Sequence, residues 1–194
     1  MKRWTTAVLA GLIVAGPLAG AAWAADEVIP LDQAMKDMAS DKFGQRRASL
    51  MAVGKHVMAS QKDAAAQKAL AARLAGVLKS GATLDSKRFV CRQLSIIGAA
   101  PEVPALAALL GDKDLSHMAR YALERIPDAE ADAALRGALG STKGKLLVGV
   151  INSVANGRDA KALGALTKMM GDDDADIAAA AVAAVGQIWL LYTS

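Results

Sequence analysis

An apolar triplet with helical spacing recurs four times along this 194-residue chain. Val90/Leu94/Ile97 is followed by Ala119/Leu123/Ile126, by Leu147/Ile151/Val154 and by Ala178/Val182/Val185. Each triplet is spaced i, i+4, i+7, one stripe of an α-helix. Successive triplets start 29, 28 and 31 residues apart. A second stripe runs between them, Leu106/Leu110, Leu135/Leu139 and Leu166/Met170, closed in turn by Gly111, Gly140 and Gly171. A unit of two short helices repeated about every 30 residues cannot bury its apolar face alone. The pattern therefore predicts an all-α fold, an α-solenoid built by stacking two-helix units. It leaves the partner open, and no residue set in the chain demands a chemistry.

The first residues carry an address. Lys2 and Arg3 precede an uncharged apolar run over 7–22 that Pro17 interrupts. Ala22-Trp23-Ala24 then offers the alternating small residues that signal peptidase prefers, ahead of Asp26 and Glu27. The run is about 16 residues, short of the roughly 20 that span a bilayer. Residues 1–24 are thus expected to be a cleaved signal peptide, and no stable membrane insertion is expected after cleavage. The destination is the periplasm or the exterior.

Loss of Lys2 and Arg3 leaves 21 Lys/Arg against 19 Asp/Glu, so the mature chain is nearly neutral. The charge is uneven. Residues 25–92 carry 12 Lys/Arg and 7 Asp/Glu, whereas 93–194 carry 9 and 12. Such asymmetry is able to steer an anionic partner toward the N-terminal half, though a solvated helical surface with local charge bias is the plainer reading. Aromatics make up 4% of the chain and alanine supplies much of its apolar content, which spreads stability along an array rather than concentrating it in one core. Cys91, the single cysteine, lies within the first regular triplet and reads as a buried small hydrophobe.

Residues 25–84 read as lead-in and capping helices with a first, degenerate repeat. Leu31, Met35 and Met38 mark a lead-in helix, and Asp41 is placed to cap a helix carrying Phe43, Leu50 and Val53. A long alanine-rich helix over 62–79 should stop at Gly81, since glycine accepts the left-handed conformation. Regular units follow at 85–111, 112–140 and 141–171, with a partial one at 172–188. Asp112, Ser141 and Asp172 are expected to start their first helices. No sheet is expected. The apolar tail 189–194 continues no repeat, which favours a chain cut from a longer array over a tail folded back on the last hairpin.

Segments such as "VPALAALLGD", "MARYALERIPDAEADAALRGALG" and "DAKALGALTKMMGDDDADIAAAAVAAVGQI" resemble HEAT-type repeats of the short bacterial kind, in the broad class of phycobilisome-lyase-type HEAT repeats. The resemblance spans about residues 41–188. It implies a right-handed stack of hairpins whose second helices line a concave face used for protein contacts, as in exported bacterial HEAT-repeat proteins.

No site chemistry competes with that reading. The run Asp172, Asp173, Asp174, Asp176 lacks the glycine and glutamate of a calcium loop, since Ile177 and Ala183 stand at those positions. Helix capping explains it better. His56 and His117 have no further ligand at zinc-site spacing, and Ser116-His117 lacks a nucleophile elbow. No catalytic, cofactor-binding or metal residues are therefore named, and no enzyme activity is expected. Arg92, Arg120, Tyr121, Glu124 and Arg125, around successive first helices, read as a structural ladder between neighbouring units or, alternatively, as candidate partner contacts, and the same choice holds for Phe43, Arg46 and Arg47 near the N-terminal cap. Arg and Tyr are enriched among interface anchors.

The expected function is a non-catalytic scaffold that binds another protein in the cell envelope. Anion or nucleic-acid binding through the basic N-terminal half is an alternative, opposed by the export signal and by the lack of aromatics among the lysines. A lyase- or chaperone-like protein acting on a partner is a second alternative, carried by the repeat class alone.

Overall fold

The computed structural model describes residues 29–38 and 45–190. Among these residues the chain forms ten α-helices and no strand. They are α1 (Leu31–Met38), α2 (Gln45–Ser60), α3 (Ala64–Leu78), α4 (Leu84–Ile97), α5 (Val103–Ala107), α6 (Ser116–Leu123), α7 (Ala129–Ala138), α8 (Gly144–Asn156), α9 (Leu163–Met169) and α10 (Ala175–Trp189). Short 3-10 turns at Ala100–Glu102 and Ala160–Ala162 lead into α5 and α9. Residues 1–24, where a signal peptide is expected, Asp41, Phe43 and the last tail residues 191–194 lie outside the described residues.

Side-chain caps start four of these helices, α3, α4, α7 and α10. Asp63 accepts the N–H groups of Ala65 and Ala66, Thr83 that of Ser86, Asp128 that of Glu130 and Asp174 that of Asp176. Each such cap contributes about 1 kcal/mol by satisfying an otherwise orphaned donor. Asp112 ties the turn before α6 through the N–H groups of Asp114 and Leu115, and Asp172 ties the turn before α10 through that of Asp174. Ser141 does not follow suit. It is exposed, and α8 starts after Lys143, without a side-chain cap, at Gly144 with φ 51°.

The helix ends also differ from expectation. Gly81, Gly111, Gly140 and Gly171 all avoid positive φ, and the helices close instead by tightening their last turns. Lys79 donates to the Gly76 carbonyl, Leu110 to Ala107 and Gly140 to Gly137. A left-handed terminator does occur after α8, but on Arg158, with φ 55°. Its N–H reaches the Ala155 carbonyl while the Asp159 N–H reaches Val154, the paired bonds of a Schellman cap. Gly157 sits one position too early to take the strain, at φ −72°.

Packing alternates along the chain. Helices α2, α4, α6, α8 and α10 touch in series, and α3, α5 and α7 form a second series. The two series meet because α3 packs on both α2 and α4, and α7 on both α6 and α8. The first three triplets are buried in full, as are Leu106/Leu110 and Leu135/Leu139. The last unit departs. In α10 the buried row is Ile177, Ala181, Ala184 and Ile188, whereas Val182 is 51% exposed and Ala178 and Val185 are half-buried. Met170 is likewise 40% exposed. Helix α10 packs against α8 and α9, so its other apolar row faces outward, ending in exposed Trp189 and Leu190.

Cys91 is fully buried, and desolvation pushes its thiol up to about 12. A thiol reagent at pH 8 should therefore leave the native chain unmodified and label it completely in denaturant. Rapid labelling of the folded protein would contradict this packing.

Candidate protein-interaction face

Helix α6 and the turn that closes it gather four of the eight residues singled out in the sequence, and they divide into two roles. Arg120 turns inward. Its Nη1 donates to the Gly149 carbonyl (2.9 Å) and to Ser153 Oγ (3.0 Å), so the side chain ties α6 to α8. It fits because Gly149 has no side chain: a Cβ there would lie 2.6 Å from Arg120 Nη2. Burial lowers the pKa of the guanidinium, and the nearby Glu124 charge works against that shift. Its Nε is buried without a partner among the described residues, a real but small cost.

Of the other three, Glu124 and Arg125 are exposed and Tyr121 is half-buried. Arg125 stacks on the Tyr121 ring, its guanidinium carbon 3.6 Å from the ring centre, and Nη1 also donates to the Tyr121 carbonyl. A guanidinium over a ring gains about 0.5–1 kcal/mol at an exposed site and holds both groups in one geometry. Glu124 accepts a long bond from Asn156 of α8. Arg92 is exposed on α4, which packs on α6, and Arg47 is exposed on α2, which packs on α4. Arg46 lies in the first turn of α2, but its side chain, like the whole of Phe43, lies outside the described residues.

The remaining motifs resolve into structure. Ser116 is buried and His117 exposed, so this adjacent pair faces opposite ways. Three aspartates of the acidic run make or receive turn and cap bonds with one another's backbone. Among the described residues no group of His, Cys, Asp and Glu could hold a metal ion. No helix there is long and apolar enough to cross a membrane.

Sequence reading missed one polar site. Arg136 of α7 pairs with Asp159, whose other oxygen caps the 3-10 turn through the Lys161 N–H. These residues, with Arg158 and Asp132, line an open pocket of about 250 Å³. Asp159 is nearly enclosed, so the pair clamps α7 to the turn that leads into α9 more than it offers a free charge. The signal available was the Gly157-Arg158-Asp159 run, which reads only as a turn. An apolar cleft of about 370 Å³ lies between α3 and the α4–α5 turn, lined in part by Ala71, Ile97 and Pro101. Its one carboxylate, Glu102, is 3% exposed and already accepts the Ala99 N–H.

Compared with known proteins, the chain matches no protein-family model and none of the curated proteins.

Proposed function

We propose that this chain is an exported, non-catalytic protein-interaction scaffold, a right-handed α-solenoid of short HEAT-like units. The observation that carries the reading is the alternating packing of two helix series, an arrangement that in a stacked array gives each series a long outer face. The polar bonds between units support it as well. Arg120 to α8, Arg136 to Asp159 and Gln187 to the Ala155 carbonyl are spent inside the array. Arg92, Tyr121 and Arg125 remain at the surface, with the residue types that anchor protein contacts.

Two measurements test the proposal. Mass spectrometry of protein recovered from the envelope should find an N-terminus at or beside Ala25. An intact Met1 on a membrane-integrated product would overturn export. Photo-crosslinkers at Arg92 on the first series and at Ala133 on the second should then capture a discrete protein from at least one position in native envelopes. A chain that yields no adduct from either face is not a scaffold of this kind.

A further inference from the structure

Helices α2, α4 and α6 carry an outward row of exposed and half-buried residues in the same register, Arg88, Ser95 and Tyr121 being the half-buried ones. In α4 the buried stripe is Val90/Leu94/Ile97, and two positions earlier Arg88, Arg92 and Ser95 point outward. In α6 the row His117, Tyr121 and Glu124 stands two positions before Ala119/Leu123/Ile126. In α2 the row Met51, Lys55 and Met58 stands two positions before Val53, Val57 and Ser60. Two residues are about 200° of helix, so each row lies opposite its core stripe. Because α2 packs on α4 and α4 on α6, the three rows make one continuous outer face.

The composition of that face is specific. Arg47 extends the α2 row by a turn, while Ile96 and Arg125 widen the other two by one position. Five cations, Arg47, Lys55, Arg88, Arg92 and Arg125, stand there against the carboxylates of Asp85 and Glu124 among the described residues, and Lys55 is already engaged. Arg88 is partly engaged, 3.6 Å from Asp85 and in reach of the Asp114 carbonyl. Between the charges lie large apolar groups in water: Met51 is 59% exposed, Met58 58% and Ile96 46%. Methionine is the adaptable apolar contact of helix-binding surfaces.

From this charge complementarity we infer that the α2–α4–α6 face binds an acidic, amphipathic helical segment of a partner protein. Its carboxylates would meet the arginines, and its apolar side chains would cover the methionines and Ile96. An anionic bilayer is the less fitting occupant. Membrane-surface contacts rely on Trp, Phe and Leu forming a joined apolar stripe, whereas here arginines separate two methionines from one isoleucine. The inference rests on the scaffold reading and names the chemistry of its partner.

The test uses the purified chain with three probes: a synthetic Leu/Glu amphipathic helix about five turns long, its Leu/Lys counterpart, and phosphatidylglycerol vesicles. Titration calorimetry should show the Leu/Glu helix binding at least about tenfold tighter than the Leu/Lys helix, a difference of about 1.4 kcal/mol. Added salt should weaken it. Arg92→Glu with Arg125→Glu should cost about tenfold, and Met51→Ser with Met58→Ser should also weaken binding. Lys168→Glu on α9 should change nothing, and circular dichroism should show each variant as helical as the parent.

Equal binding of both helices, indifference to the two charge reversals, or tighter binding to the vesicles would each overturn the inference. The native crosslinked partner separates the two levels of the argument. If the Arg92→Glu/Arg125→Glu chain keeps that partner while the Leu/Glu helix fails, this face is excluded and the scaffold survives. If no partner is captured at all, the scaffold itself falls.

Discussion

Truncating Leu123 to alanine is expected to destabilise the folded chain by about 2–5 kcal/mol, the range for a large buried aliphatic side chain. Leu123 is 1% exposed at the end of α6, a helix that packs on α4, α5, α7 and α8. Removal of its branched end leaves a hole shared by both helix series, which cannot collapse without moving several helices together. Urea unfolding followed by circular dichroism measures the loss. A change within about 0.5 kcal/mol, the scale of a neutral surface substitution such as Asp173→Asn should show, would mean that Leu123 is not a core residue.

The second large effect concerns Gly149, and its sign depends on the residue opposite. In the parent chain Gly149→Ala would put a methyl group 2.6 Å from Arg120 Nη2 and 2.7 Å from its Cζ. The guanidinium must then leave, losing its bonds to the Gly149 carbonyl and Ser153 Oγ, for an expected cost of about 1–3 kcal/mol. In an Arg120→Ala background the space is already open. Alanine should there improve on glycine within α8, stabilising by about 0.5–1 kcal/mol through its helix preference. A double-mutant cycle reads the reversal directly. Equal costs in both backgrounds would show that Arg120 does not occupy the Gly149 notch in solution.

These two cases also show what the sequence makes legible. Leu123 is readable because its stripe has one apolar side and one polar side, so helical period alone assigns its burial. The same reasoning fails in α10, where Ile177/Ala181/Ala184/Ile188 and Ala178/Val182/Val185 are adjacent rows of similar apolarity. Period cannot choose between them; the position of α8 and α9 does. Arg120 was visible as part of a polar cluster, yet its inward turn depends on a glycine 29 residues downstream. A pairing of a long cation with Gly149 and Ser153 on the next first helix is the pattern that could have revealed it. The glycine terminators misled for a different reason. A helix can close with backbone in the right-handed region, and then glycine marks a turn without being needed for its geometry.

The alternating contacts have a kinetic corollary. Helices α2, α3 and α4 touch one another, and no partner beyond α6 is required to order them. The loops closed in reaching those contacts are short, so the entropy lost before contacts form is small. A chain built this way can gain structure from its leading part while the rest is still being synthesised. It can also open from one side without dissolving the other, so its unfolding need not be a single event.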